Sequence, residues 1–213
     1  MRLRNVHYAK DLILKHPEYI RNIPRGTSKN LFELFDNKKP LCLEIGAGKG
    51  QFIHNLAQQK PHVNFLAIEQ FDSVIVRALE KQLDDPLDNV LLARMDAADL
   101  GGCLPKGSVS TIYLNFSDPW PKARHEKRRL SAPGYLDLYR YLLKPEGTIE
   151  LKTDNRGFFE YSLKSIIDHG LDILDINLDL HQDEPEDNIM TEFEEKFKHE
   201  GPIYKLSATF KEA

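Results

Sequence analysis

Four acidic side chains, Glu44, Glu69, Asp96 and Asp118, recur at the ends of short apolar runs, where a carboxylate can face a ligand instead of the core. The first belongs to the string Glu44-Ile45-Gly46-Ala47-Gly48-Lys49-Gly50. Glycines allow a tight turn and let a ligand approach the backbone closely. A dinucleotide loop has the spacing G-x-G-x-x-G and seats a pyrophosphate on the following helix N-terminus. Counting from Gly46, its third glycine would fall at position 51, which is glutamine. A carboxylate just ahead of the loop repels a pyrophosphate, whereas it suits the ammonium and sulfonium of S-adenosylmethionine. Glu69, 19 residues past Gly50, is placed to accept from ribose hydroxyls. Asp96 is placed to accept from an adenine amino group. A structural turn, or a carboxylate at a helix N-terminus, explains any one of these features singly. Together Glu44, Gly46, Gly48, Gly50, Glu69 and Asp96 suit an adenosyl ligand.

The fourth acid lies in Asn115-Phe116-Ser117-Asp118-Pro119-Trp120-Pro121, where two prolines stiffen the loop and would present Asp118 with little freedom. Trp120, the sole tryptophan, is suited to stacking on a base or to packing under the loop. The chain then runs into Lys122-Ala123-Arg124-His125-Glu126-Lys127-Arg128-Arg129, with five cations against one acid. An acid-bearing loop continuous with such a run points to an acceptor set in a phosphate backbone. Thr191-Glu192-Phe193-Glu194 reads as a helix start with a capping box. No histidine spacing indicates a metal site, and His181 with Asp183 reads as a solvated pair. Ser117 lacks the G-x-S-x-G context of a nucleophile elbow.

The elements that must position these groups alternate from residue 41 onward. Apolar runs at 41–45, 63–68, 90–95, 109–116 and 148–152 read as strands, separated by helical patterns at 50–60, 71–84, 132–143 and 156–169. This rhythm predicts an α/β fold with a mostly parallel sheet covered on both faces. Ligands then bind beyond the carboxyl ends of the strands, where the acids fall. Two further strand patterns, 171–180 and 203–210, follow without a full crossover helix between them, so an antiparallel C-terminal strand is expected. Residues 1–30, with Pro17, Pro24 and Gly26, read as a basic arm with some helix at 9–15. Residues 31–213 read as a single domain.

Composition bounds the rest. No apolar run reaches the roughly 20 residues of a membrane span, and the N-terminus lacks a signal-peptide core. Cys42 and Cys103 make no disulfide framework, so a cytoplasmic location is expected. The net charge of −4 argues against a polyanionic partner only until its distribution is considered. Residues 1–30 hold seven Lys/Arg against two acids, and residues 171–200 hold eleven acids against two lysines. Segregated charge can bind a polyanion despite an acidic total, although a solvated face remains the simpler account of the acidic stretch.

The strings NFSDPWPKARHEKRR (115–129), EIGAGKGQF (44–52), KTDNRG (152–157) and NIMTEFEEKF (188–197) resemble the bacterial tRNA (guanine-N7-)-methyltransferase family. The resemblance spans the chain from about residue 40 and implies a class I, Rossmann-like methyltransferase acting on a guanine of the tRNA variable loop. It assigns Glu44, Glu69, Asp96 and Asp118 to S-adenosylmethionine, with Asp118 also catalytic. Lys122, Asp154 and Thr191, Glu192, Phe193 and Glu194 fall to the substrate, and Arg124, His125, Glu126, Lys127, Arg128 and Arg129 to RNA contact. Relatives include monomers and dimers, so monomer or homodimer is expected. Two alternatives are methylation of an exocyclic amino group, suggested by the Asn-Phe-Ser-Asp-Pro-Trp loop, and a non-catalytic RNA-binding partner. Guanine N7 already offers a lone pair, so the chemistry needs orientation more than a base. Asp118 is then expected to position the guanine and stabilise its developing positive charge.

Overall fold

A computed structural model of the chain describes residues 6–211. The chain falls into two compact units, one up to residue 105 and one from residue 106 onward. The first contains α1 (Ala9–Lys15), β1 (Ile20–Asn22), β2 (Leu41–Ile45), α2 (Gln51–Gln59), β3 (Asn64–Glu69), α3 (Asp72–Asp84) and β4 (Val90–Arg94). Its strands lie in the order β1-β4-β3-β2, every pairing parallel. All five residues of β2 are buried, as are the first five of β3 and the first four of β4. That continuous burial is why these strands read as mostly apolar runs, interrupted by Glu44 in β2 and Asn64 at the start of β3, since a parallel sheet has no wet face. The helices between them bury one stripe each, Phe52, Ile53 and Leu56 on α2 and Ile75, Val76 and Leu79 on α3.

The second unit contains β5 (Val109–Asn115), α4 (Pro133–Leu142), β6 (Leu143–Thr153), α5 (Arg156–Asp168), β7 (Leu171–Asn177), α6 (Glu192–Phe197) and β8 (Tyr204–Phe210). Its order is β5-β6-β8-β7, with β5 and β6 parallel and β8 antiparallel to both neighbours. The fold is therefore α/β and mostly parallel, with one antiparallel strand at the C-terminal end. β6 begins five residues earlier than its apolar core predicts, because Pro145, the left-handed Glu146 (φ 59°) and Gly147 disguise its first turn as a loop.

The sequence pattern does not reveal β1. It is three residues long, sits between Pro17 and Pro24, and among the described residues pairs only with β4. Around it, Leu92 N–H donates to the Tyr19 carbonyl at 2.9 Å and Ile23 N–H to the Arg94 carbonyl at 3.0 Å. α1 buries Ala9 and Ile13. Nearby, the Tyr8 hydroxyl donates to Glu80 of α3 at 2.5 Å and accepts from Arg77 at 2.9 Å. Arg2 and Arg4 of the expected basic arm lie outside the described residues.

Candidate active site

In the first unit the register aligns the strand exits, with Glu44 opposite Ala67 and Glu69 opposite Arg94. β2 delivers the Glu44 carboxylate at 2% exposure, directly before the glycine turn. Gly46 and Ala47 N–H both donate to the Ile68 carbonyl, at 2.8 and 2.9 Å, pinning the turn to β3. The three glycines have different reasons to be glycine. Gly46 (φ 79°) and Gly48 (φ 60°) are left-handed, and a Cβ on either would enter open space. They leave a bare strip of backbone, the surface against which a ligand can lie. Gly50 (φ 78°) caps α2, and a Cβ there would stand 2.6 Å from the Ala78 Cβ, so its requirement is tight packing of α2 on α3.

Glu69 closes β3 and accepts from the N–H groups of Gln70 (2.8 Å) and Phe71 (3.1 Å), which fixes its carboxylate at the strand exit. Asp96 follows β4, accepts from Ala98 N–H at 3.0 Å, and lies 3.8 Å from the Arg25 guanidinium. An open glycine strip flanked by three acids fits an adenosyl group bearing hydroxyls, an amino group and a cationic sulfur.

The second unit assembles the other candidates. β5 ends at the buried Asn115, and Phe116 N–H extends its ladder by donating to the Lys152 carbonyl at 2.8 Å. The loop that follows is strained. Phe116 (φ 49°) and Trp120 (φ 41°) are both left-handed, a conformation that costs a non-glycine residue on the order of 1–3 kcal/mol. Between them Asp118 is exposed. Trp120 is fixed by the basic run, with the Arg128 guanidinium 4.9 Å over its ring and His125 meeting it edge-on at 5.5 Å. Residues 123–128 form 3-10 turns that leave Lys122, Arg124, Lys127 and Arg128 exposed, while Arg129 is half-buried. Glu126 lies beside Tyr161, whose phenol is raised above its ordinary range by burial first and by that carboxylate second.

The segment 191–197 meets this loop through aromatic rings. Phe193 lies 4.8 Å from Phe116 and 4.4 Å from Phe197, yet remains 38% exposed. The expected capping box is present, with Glu194 N–H donating to Thr191 Oγ1 at 2.9 Å and the Glu194 carboxylate reaching back to Thr191 N–H. Glu194 itself is wholly buried. Lys152 Nζ approaches its two oxygens at 3.1 and 3.3 Å and also donates to the Asn188 side chain (2.5 Å) and the Ile189 carbonyl (2.9 Å). Burial holds the Lys152 ammonium below its ordinary range, against the opposing pull of Glu194. Asp154, just past the end of β6, is exposed, and Glu192 is half-buried.

Sequence reasoning misses the buried set behind this surface. Lys152 is hidden in an apolar strand pattern. His181 pairs not with Asp183 but with Glu184 (2.9 Å), and its other ring nitrogen lies 3.2 Å from Glu194. No spacing rule marked the His181–Glu184 pair, because residues 181–184 run through a turn and not a helix, on which i,i+3 residues would face one another. Among the described residues no cluster of three His, Cys, Asp or Glu is placed to hold a metal ion, and no helix is long and apolar enough to cross a membrane.

Comparison with known proteins decides the family. Residues 38–206 match a family model described as putative methyltransferase. A tRNA (guanine-N(7)-)-methyltransferase of Lysinibacillus sphaericus is 48% identical over 212 residues, covering 99% of this chain and 98% of that protein. This chain belongs to that family. Members from Lactobacillus gasseri and Geobacillus kaustophilus are each 49% identical, covering 99% and 98% of this chain and 100% and 96% of theirs. Solved structures share the family's fold at low identity. The 16S rRNA methyltransferase KamB superposes with a TM-score of 0.65 at 14% identity, covering 85% of this chain and 93% of that one. An S-adenosylmethionine-dependent methyltransferase from Aquifex aeolicus gives 0.56 at 16%, covering 84% and 86%.

Proposed function

We propose that this chain transfers a methyl group from S-adenosylmethionine to N7 of a guanine in the tRNA variable loop. The observation that carries the acceptor half is the clasp of Phe116 on Phe193, which brings the Asp118 loop onto the segment bearing Glu192. Membership of the family supports the same reading.

S-adenosylmethionine supplies an electrophilic methyl group. Glu44, Glu69 and Asp96 bind and orient the adenosyl group along the strip of Gly46 and Gly48, with Gly50 holding α2 in place. On the acceptor side no proton must leave N7 before attack, so orientation supplies most of the rate. Phe193, its ring partly open to solvent, offers a face on which an unstacked base rests. Asp154 and Glu192 accept from the Watson–Crick edge and favour guanine over adenine, which has an acceptor at N1. Asp118 sets the base in line and stabilises the positive charge that the ring gains. Glu194 and Thr191 hold this surface in shape. The exposed cations Lys122, Arg124, Lys127 and Arg128 grip phosphates, because side chains cannot read bases in the narrow major groove of an RNA helix.

The test is to incubate the protein with bulk tRNA and methyl-labelled S-adenosylmethionine, then locate the modified nucleotide. Label at guanine N7 in the variable loop is the expected result. Label on an exocyclic amino group, or no label with intact tRNA binding, refutes the reading.

A further inference from the structure

Within the basic run, Arg129 is built differently from its neighbours. Arg124, Lys127 and Arg128 are exposed, whereas Arg129 is half-buried and turned inward. Its Nε donates to the Pro119 carbonyl at 3.1 Å and to the Trp120 carbonyl at 3.3 Å, and its Nη2 donates to the Trp120 carbonyl at 3.0 Å. Its guanidinium carbon stands 4.1 Å over the ring of Tyr161 on α5. Pro119 and Pro121 have no N–H of their own, and Trp120 between them is held left-handed. The fork therefore satisfies two carbonyls at the point where the loop backbone is strained.

We propose that Arg129 is a positioning residue for the reaction: it clamps the Pro119–Trp120 kink against α5 and so fixes the presentation of Asp118, and it does not grip RNA. The basic run then divides its labour, outward cations taking phosphates and the last arginine taking the protein's own loop. A planar fork with several donors is required, because a lysine ammonium can neither bridge the two carbonyls in one plane nor stack flat on Tyr161. Tyr161 supplies the wall that keeps the fork in place. The inference rests on Asp118 acting on the acceptor base as proposed above.

Trp120, the only tryptophan in the chain, reports on the clamp without any turnover. Arg129→Gln, Arg129→Lys and Tyr161→Leu are compared with the outward variant Arg124→Gln. The readouts are acrylamide quenching of Trp120 fluorescence, kcat and KM with saturating S-adenosylmethionine, and the salt dependence of tRNA binding. Arg129→Gln is expected to raise quenching and to lower kcat by roughly 100-fold, the scale set by a misplacement of about 1 Å. Its salt slope should match the wild type. Arg129→Lys should fail to restore either quenching or kcat, and Tyr161→Leu should follow in the same direction with a smaller loss. Arg124→Gln should leave quenching unchanged and flatten the slope by about 0.7–0.9 for each phosphate no longer neutralised. If Arg129→Gln does not fold, Arg129→Lys carries the same comparison with charge and bulk retained. An Arg129 variant with wild-type quenching and kcat but a flattened slope overturns the proposal and makes Arg129 a phosphate ligand. Absence of N7 methylation by the wild type refutes the functional reading instead, and the quenching result stands apart from it.

Discussion

Replacing Lys152 by methionine removes one half of a buried ion pair and leaves the other in place. The Lys152 side chain is 8% exposed and the Glu194 side chain 0%, with 3.1 Å between them. Water cannot take over the role of the ammonium at a site so closed. Breaking such a pair from one side costs about 3–5 kcal/mol, chiefly because the surviving charge stays buried without the ammonium, left to the Asn188 amide (3.0 Å), the Thr191 N–H and the neighbouring His181 ring (3.2 Å). The Asn188 side chain and the Ile189 carbonyl lose a donor in the same step, which adds to the cost. For a chain of this length each kcal/mol lowers the melting temperature by about 2–4 °C, so Lys152→Met should melt on the order of 10 °C or more below the wild type. Calorimetry measures this directly, and urea unfolding gives the free energy. The double variant Lys152→Met/Glu194→Gln decides the cause. Removing the stranded carboxylate should recover part of the loss, a coupling energy of more than about 1 kcal/mol in a double-mutant cycle. The single variant should also raise the KM for tRNA, because Glu194 ties Lys152 to the capped start of α6. A Lys152→Met melting temperature within about 2 °C of the wild type would refute the reasoning. So would additive losses in the cycle, which would mean that the two charges do not depend on one another.

Asp118→Asn should lower kcat while leaving the S-adenosylmethionine dissociation constant within a few fold; equal losses in calorimetric titration and turnover would make Asp118 chiefly a cofactor ligand. Gly50→Ala places a Cβ 2.6 Å from Ala78 in a backbone that disfavours it, so it should destabilise by more than about 1 kcal/mol in urea unfolding. Gly48→Ala meets no neighbour, pays only the backbone strain, and should weaken cofactor binding more than it weakens the fold. Glu150 is raised above its ordinary range, first by burial, against a hydrogen bond from Ser207 and the nearby Lys205. A carboxyl raised on folding contributes stability fully present below its unfolded value and lost as pH rises through its folded one. Glu150→Gln should therefore gain stability over the wild type at pH 7 and match it near pH 4, and an unchanged difference across that range would count against the assignment.

The elements that carry the proposed cofactor half of the site were legible because they lie in and directly after strands buried on both faces. Strands buried on both faces are mostly apolar, so an acid at or just past their ends stands out, as Glu69 and Asp96 do. Asp118 was legible for a second reason: the prolines around it mark a loop whose backbone is constrained. What remained hidden lies where a polar residue occupies a place that pattern assigns to the core. Lys152 reads as the polar end of a strand, and only the folded chain places Glu194, Asn188 and the Ile189 carbonyl around it. β1 escaped because three residues cannot establish a period of two. The basic run shows the limit most clearly. Charge and spacing place Arg128 and Arg129 in one class, yet one guanidinium lies over the indole of Trp120 from the solvent side and the other holds the carbonyl of that residue from within. A linear pattern records that a cation is present and gives no direction to it, whereas two carbonyls in a proline-bounded kink need a donor and the neighbouring arginine is the group whose geometry meets both. Such a kink beside a basic run is therefore a reason to assign one of its cations to the loop before assigning the rest to phosphate.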